Sequence, residues 1–290
     1  IDYPGAYKEL LRNYGPKLFM KDGFAPDILA DELVRAGLLP EGSGANELVE
    51  RLQNGEPEWF QLSEEDARLA ERKLARDVEA WEKTVDEFMA GTLNKRKPVT
   101  MLSNTPLVLT LFGADKNLQV ATTYAKLTKI LKDKHKLPES VLKQVPSAMT
   151  DPVMIFDSAT VKGDYVMMLD LKDENGATVV VPLSLNYDGV GGYTVNYVPS
   201  VYAKANTETG KPNNAWFIRQ VGENRLRYIN NKKSRKWVTS SRLQLPWVGS
   251  HTFNGKNKIL TEADLVKLKN AYPGYYQHVG EQGAADLDMA

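Results

Sequence analysis

A change in hydrophobic periodicity near residue 95 constrains the fold more than any other feature of the sequence. Before Gly91, apolar residues recur at helical spacing: Leu69, Leu74, Val78, Trp81, Val85, Phe88 and Met89. After Pro152, short apolar runs of strand-like composition recur at close spacing, over 153–156, 164–171, 178–185 and 193–198. The sequence therefore predicts an α+β protein, with an N-terminal all-helical region followed by helices packed on one antiparallel β-sheet.

The polar, basic stretch 92–97, which ends at Pro98, is the predicted domain boundary. Helices are predicted before it, over 7–14, 26–39, 45–53 and 63–91, and Ser63 with Asp66 opens the last of them as a variant of the capping box. We therefore expect a helical accessory region over 1–94, a second domain over 95–279 and a disordered tail over 280–290.

Within the second domain, the hairpin signal Asn175-Gly176 lies between two of the strands. Further strands are predicted over 118–122 and 225–229. Helices are predicted over 105–113, up to His135, and over 138–144, 216–221, 232–241 and from Thr261 onward. The strands follow one another closely, which favours an antiparallel meander.

The formal net charge of zero conceals two oppositely charged halves. Residues 1–91 contain 20 acidic and 11 basic side chains, whereas 92–290 contain 17 acidic and 26 basic ones. Between Lys204 and Arg242 ten cations face only two acids, with Trp216 and Trp237 among them. This pattern predicts a nucleic-acid partner for the second half, bound in a salt-dependent way.

The absence of cysteine excludes disulfides, thiolate nucleophiles and cysteine zinc sites. No apolar run approaches the roughly 20 residues needed to cross a bilayer, so no membrane partner is expected. The start at Ile1 without methionine suggests a fragment or a processed product. The second half has no carboxylate cluster of ligand spacing and no paired histidines, which disfavours a metal site, and no cofactor is indicated.

His135 is the candidate for proton transfer, because it is the only histidine before residue 251 and imidazole titrates near neutral pH. It is predicted to end a helix, where the macrodipole favours the imidazolium. Lys132, Lys134 and Lys136 oppose that effect, so the direction of its pKa shift stays open. A surface histidine in a solvated basic turn is the alternative.

The order of segments from about 105 to 269 resembles the C-terminal domain of phage MuF-type minor capsid polyproteins, a branch of the barnase/EndoU/colicin/RelE-like ribonuclease superfamily. The resemblance is carried by TPLVLTLFGA, ILKDKHKL, VPSAMTDPVMIFDS, GATVVVPLSLN, VPSVYAKAN, YINNKKSRKW and SRLQLP. The helical first ninety residues resemble the segments that precede such domains in phage polyproteins.

The resemblance implies helices on one antiparallel sheet, with RNA cleaved on the concave face of that sheet. Carried over residue by residue, it places a catalytic histidine at His135, a serine at Ser158, and a Ser-x-Tyr-x-Lys turn at Ser200, Tyr202 and Lys204. Ala203 stands where the family often has glycine. Members of the superfamily differ in their catalytic residues, so the fold alone does not assign roles.

Metal-free RNA cleavage needs a base, an acid, and cations that stabilise the phosphorane. His135 is predicted to serve as base or acid, Tyr202 as the other, and Lys204 as the cation, with Ser200 beside them. The predicted substrate-binding residues are Lys134, Ser158, Arg219, Lys233 and Trp237. Against these roles, the serines could be turn residues, Lys204 a solvated charge, and at least one tryptophan part of the core.

Two functions from different classes follow. The first is a metal-independent endoribonuclease of toxin or effector type that cleaves RNA by attack of the 2′-hydroxyl. The second is a non-catalytic RNA-binding or virion-interaction module on the same fold. RNA, an immunity or inhibitor protein, and phage capsid or portal proteins are the expected partners. The expected location is the virion, or the bacterial cytoplasm after secretion or injection.

Overall fold

The computed structural model describes residues 25–54, 64–241 and 259–262, together with 264, 265 and 268. Its helices are α1 (Pro26–Arg35), α2 (Ala45–Asn54), α3 (Glu64–Ala90), α4 (Leu107–Thr110), α5 (Tyr124–Leu131), α6 (Glu139–Met149), α7 (Asn214–Gly222) and α8 (Asn231–Ser240). The predicted helix over 7–14, the Ser63 cap and the tail over 280–290 lie outside the described residues.

The strands are β1 (Val99–Leu102), β2 (Val120–Thr122), β3 (Met154–Asp157), β4 (Tyr165–Lys172), β5 (Thr178–Val190), β6 (Tyr193–Tyr197), β7 (Tyr202–Ala203), β8 (Leu226–Ile229) and β9 (Leu260–Thr261). They form one sheet in the order β1-β2-β6-β5-β4-β3-β8-β9, with β7 also paired to β5. The predicted α+β fold with an N-terminal helical region is confirmed. The sheet is mixed rather than purely antiparallel, because β2 pairs with β6 and β8 with β9 in parallel.

The described residues divide into two compact units, and the division falls within α3 between Ala70 and Glu71. In the first unit, α1 and α2 bury a small core of Ala30, Leu33, Leu39 and Leu48. The helix predicted over 26–39 ends earlier, because Gly37 adopts a left-handed φ of 70°.

The second unit begins inside α3, and the helix contributes the buried side chains Trp81, Val85 and Phe88 there. Phe88 packs against Tyr124 at the start of α5, with ring centroids 5.0 Å apart. The 20 residues of α3 from Glu71 onward therefore belong to the same compact unit as the sheet, whereas the sequence predicts a boundary at 94/95. That residues 1–94 and 95–279 form separate domains stays a prediction.

The turn between β4 and β5 is organised by the side chain of Asp173. Its Oδ1 accepts hydrogen bonds from the backbone N–H of Asn175 and of Ala177, at 3.0 and 2.7 Å. Gly176 supplies the positive φ of 77° that closes the loop. The hairpin signal at Asn175-Gly176 thus marks a real turn between adjacent antiparallel strands.

One face of the sheet is covered by α7 and α8 through an aromatic core. Phe156 from β3 and Phe217 from α7 are fully buried, and Trp237 from α8 is 5% exposed. The rings of Phe217 and Trp237 pack edge to face, with centroids 5.2 Å apart. This packing fixes the position of α7 relative to β4, β5 and β7.

Helix α6 runs through Pro146 to Met149, so the helix predicted over 138–144 is too short. A proline has no N–H, so the carbonyl of Leu142 four residues earlier loses its helical donor. The indole Nε1–H of Trp81 donates to that carbonyl at 2.9 Å, and the site is buried. A contact from α3 therefore satisfies the backbone group that the proline leaves unpaired.

None of the described helices has the length and apolar character required to span a membrane.

We predict that Trp81→Phe destabilises the protein by about 1–3 kcal/mol, because the buried Leu142 carbonyl loses its donor. In a Pro146→Ala background the same substitution should cost less, since the alanine N–H can now satisfy that carbonyl within the helix. Denaturant unfolding of the four variants gives the coupling free energy between the two sites. Equal costs of Trp81→Phe in both backgrounds would contradict this account of α6.

Candidate active site

Four side chains predicted to act together are adjacent in the structure: His135, Ser200, Tyr202 and Lys204. His135 comes from the turn between α5 and α6, and the other three come from the segment around β7. Residues separated by more than sixty positions are thus brought into hydrogen-bond and ring contact. We call this group the His135 cluster.

The position of His135 follows from the way α5 ends. The helix stops at Leu131, four residues earlier than predicted, and the backbone N–H of His135 donates to the carbonyl of Lys129 at 3.1 Å. Lys136 then adopts a left-handed φ of 47°, and Leu137 is buried at 3% exposure. Pro138 precedes α6, so this tight turn is bounded by a buried leucine and a proline.

Two contacts fix the imidazole of His135. Its Nε2 lies 2.9 Å from the hydroxyl of Ser200, which is 8% exposed. Its ring stacks on the ring of Tyr202, with centroids 5.0 Å apart and planes inclined by 19°. Ser200 is therefore bonded to the histidine rather than to its own turn, the alternative considered from the sequence.

The environment lowers the pKa of His135 from 6.5 to about 4, first through burial and then through the charges of Lys129 and Lys134. Any preference of the helix end for the imidazolium is outweighed. The sequence left this direction open and pointed to Lys132, Lys134 and Lys136. The fold instead brings Lys129 close, because the chain turns back over the last turn of α5. The imidazole is consequently neutral at pH 7.

Lys204 lies beside the histidine and tyrosine pair, and its main chain is fixed on both sides. Its N–H donates to the Thr178 carbonyl of β5 at 2.8 Å, and its own carbonyl accepts from the N–H of Asn213, also at 2.8 Å. Asn213 is in turn the N-cap of α7, accepting from the N–H of Trp216 through its side chain. The β5 strand and the start of α7 thus position this lysine.

The ammonium of Lys204 is placed over aromatic rings, 4.6 Å from the centroid of Trp216 and 5.5 Å from that of Tyr202. Burial lowers the pKa of Lys204, and the nearby charge of Arg219 lowers it further. Burial raises the pKa of Tyr202, so its phenol keeps its proton at neutral pH. The His135 cluster therefore combines a neutral imidazole, a protonated phenol and the amine of Lys204, with the charge of Arg219 nearby.

Three predicted substrate-binding residues have other contacts in the structure. Ser158 accepts hydrogen bonds from the N–H groups of Thr160 and Val161 in its own turn. The Lys233 ammonium pairs with Asp151, at 2.9 Å to the carboxylate and 2.7 Å to the carbonyl. Trp237 is in the core and donates to Thr178 at 3.0 Å, which leaves little ring surface for a base.

The other two predicted substrate-binding residues are associated with the cluster by charge. Lys134 is exposed and acts on the His135 pKa, and Arg219 is exposed and acts on that of Lys204. Trp216, noted from sequence only as one of two tryptophans in the basic segment, has its ring nearer to the Lys204 ammonium than that of Tyr202. Its position three residues after Asn213, a good N-cap residue, is the signal that could have placed it.

Residues 126–236 match the family model of the phage MuF C-terminal domain. The match to the MuF C-terminal domain begins within α5 and ends within α8, so it contains all four residues of the His135 cluster together with Trp216 and Arg219. The resemblance seen in the sequence is thereby confirmed at the level of this phage domain. No curated protein and no solved structure matches the chain.

Among the residues that the structure describes, no group of three or more His, Asp or Glu side chains is arranged to hold a metal ion.

We predict that the stability of the protein decreases as the pH falls from about 6.5 toward 4, partly because of His135. The imidazole binds a proton less readily in the folded state than in the unfolded chain, so acid favours unfolding in this window. His135→Gln, which cannot titrate, should show a smaller loss of unfolding free energy over the same range. Denaturant unfolding of both proteins at several pH values measures the difference. Equal losses in the two proteins would contradict the lowered pKa.

Proposed function

We propose that this chain is a metal-independent endoribonuclease that cleaves RNA by attack of the substrate's own 2′-hydroxyl. The observation that carries the proposal is the convergence of His135, Ser200, Tyr202 and Lys204 from distant parts of the chain. A base, a positioning hydroxyl, a proton donor and a cation within one cluster are the groups that this reaction requires.

His135 is assigned as the general base rather than the acid. A group with a pKa of about 4 is unprotonated at neutral pH and can accept the 2′-hydroxyl proton. We propose that Nε2–H donates to Ser200, which leaves Nδ1 with a lone pair for the substrate. The phosphate of a bound RNA would offset the charges of Lys129 and Lys134, and so would raise the pKa of the imidazole and its strength as a base.

The 2′-oxygen then attacks the phosphorus, and the bond to the 5′-oxygen of the next nucleotide breaks. Lys204, with Arg219 beside it, stabilises the additional negative charge on the phosphorane. Tyr202 donates its proton to the departing 5′-oxygen. The products are a 2′,3′-cyclic phosphate and a 5′-hydroxyl, and the atoms balance without a water or a metal.

The match to a phage MuF C-terminal domain supports this assignment, because the sequence resemblance to that domain implies a relation to the barnase/EndoU/colicin/RelE-like ribonucleases. On this basis we propose a toxin or effector role in the virion or in the bacterial cytoplasm. An immunity or inhibitor protein and phage capsid or portal proteins are the corresponding partners.

The alternative is a non-catalytic RNA-binding or virion-interaction module. One observation favours it: an imidazole with a pKa of about 4 is a weak base in the free protein. Retained RNA binding without any cleavage would support this second function.

We predict that the protein cleaves total RNA in the presence of EDTA and leaves 2′,3′-cyclic phosphate ends. His135→Ala should reduce the cleavage rate by about 10² to 10⁴, the range for loss of a positioned base. Lys83→Ala, an exposed lysine of helix α3 that has no assigned role in the site, is the matched control and should cleave at the wild-type rate. Gel analysis of the fragments and of their ends provides the measurement. Wild-type cleavage by His135→Ala would remove the histidine from the mechanism.

Tyr202 is predicted to have two separable roles, proton donation and support of the imidazole. Tyr202→Phe keeps the stacked ring but removes the acid, and should slow cleavage by about 10² or more. Tyr202→Ala removes both and should be slower still, with a higher His135 pKa because the ring is less buried. Single-turnover rates and imidazole titration by NMR separate the two effects. Wild-type rates for Tyr202→Phe would exclude the phenol as the acid.

The cation is predicted to act on the phosphorane. Lys204→Ala should lower the single-turnover rate by about 10² to 10³, as for loss of one charge-stabilising donor. Lys204→Arg keeps the charge over Trp216 and should lose less. Equal rates for the alanine and arginine variants would show that the charge is not used.

A further inference from the structure

The hairpin formed by β5 and β6 carries three tyrosines on one face. Tyr187 lies opposite Val195, and Tyr193 opposite Val190, and directly opposed residues of an antiparallel pair point to the same side. The rings of Tyr187 and Tyr197 are stacked, with centroids 5.1 Å apart and planes inclined by 24°. We call Tyr187, Tyr193 and Tyr197 the tyrosine face.

Two of these rings are unusually exposed for large aromatic side chains. Tyr193 is 60% exposed and Tyr187 is 42% exposed, whereas Val190 and Val195 between them are buried. The buried valines pack with Ala121 of β2 and with Tyr197. The small core therefore holds the hairpin in place without using the outer tyrosines.

A run of three exposed cations, Lys95, Arg96 and Lys97, leads directly into Pro98 at the tip of this hairpin. Pro98, the next residue, packs on the tip of the hairpin, since a Cβ built on Gly191 would lie 3.1 Å from its Cγ. At the other end of the run, the Lys95 ammonium is 5.2 Å from the ring of Tyr124. In the sequence, these cations belong to the predicted domain boundary over 92–97.

The chain connects the tyrosine face to the His135 cluster in two ways. Tyr197 precedes Ser200 by three residues, which is about 10 Å of extended chain. Tyr197 is also paired with Ala121 of β2, which leads through Thr123, the N-cap of α5, into that helix, and the turn after α5 supplies His135. Strand β6 and helix α5 thus both connect the tyrosines to the cluster.

We propose that the tyrosine face and the cations Lys95, Arg96 and Lys97 form a docking surface for single-stranded RNA that leads into the His135 cluster. This inference rests on the proposed function, because it assigns the substrate class of the same site. Exposed rings stack on unpaired bases of any sequence, and adjacent cations bind the phosphates. A base-paired RNA hides its base faces within the stack, so the surface selects unpaired segments.

The test measures binding of wild-type protein to a fluorescent 2′-O-methyl RNA of about 12 nucleotides and mixed sequence, comparable to known single-strand site sizes. This probe has no free 2′-hydroxyl, so binding is measured without cleavage. Tyr193→Ala should weaken binding by roughly 5- to 150-fold, the range for loss of one stacked base. Tyr193→Phe keeps the ring and should bind as the wild type does. Tyr187→Ala should also weaken binding.

Two controls isolate stacking and charge. Binding of a duplex of the same length should be unaffected by Tyr193→Ala. Lys97→Ala should reduce the slope of log affinity against log salt by about 1, whereas Lys83→Ala, at an exposed position of helix α3 outside the docking surface, should leave it unchanged. Thermal unfolding should confirm that the Tyr193 variants fold, as expected for a ring that is 60% exposed.

The outcomes separate this inference from the proposed function. If wild-type protein cleaves RNA but both tyrosine variants bind the probe normally, the docking surface is wrong and the ribonuclease assignment stands. If the tyrosine variants lose binding while wild-type protein cleaves no RNA, the docking surface stands and the chemistry is wrong. Absence of any binding of the single-stranded probe by wild-type protein would overturn the docking surface directly.

Discussion

The geometry of the candidate site depends on the pairing of the two-residue strand β7 with β5. Val180 lies opposite Tyr202, and the N–H of Lys204 extends the ladder to the Thr178 carbonyl. This pairing holds Tyr202 in place and, together with the hydrogen bond from the N–H of Asn213, it holds Lys204 beside the tyrosine. Because β5 is also paired to β4 and β6, the short strand is attached to the best-connected element of the sheet.

Electrostatics within the cluster follow from burial more than from any single ion pair. His135 and Lys204 are both partly buried near like charges, so the charged form of each is disfavoured. Tyr202 is buried as well, which keeps its proton in place. A polyanion bound here would raise the pKa values of His135 and Lys204, because its negative charge would offset the charges of Lys129, Lys134 and Arg219. The proposed RNA substrate would supply such a charge.

Much of the fold could be predicted from sequence, because hydrophobic periodicity and turn residues act locally. The strands at 153–156 and 178–185, the turn at Asn175-Gly176 and the helices at 45–53 and 216–221 correspond to observed elements within a few residues. The sequence predicts too short a helix α6, because the donor that replaces the missing N–H of Pro146 is the indole of Trp81, 65 residues away along the chain. The predicted cluster of His135, Tyr202 and Lys204 came from a family resemblance. The hydrogen bond of His135 to Ser200 and its stacking on Tyr202 depend on tertiary contacts, which no local sequence pattern encodes. The same holds for the contacts of Ser158, Lys233 and Trp237.

The central claim is that His135 acts as a base in metal-free RNA cleavage, and the pH dependence of the cleavage rate tests it most directly. Single-turnover rates of the wild-type protein in EDTA should rise with pH through the His135 pKa, which lies below the ordinary value of 6.5, and then level off toward neutrality. In His135→Ala this acidic limb should disappear together with most of the rate. A rate that falls as the pH rises through the histidine pKa would identify an acid instead of a base and contradict the account.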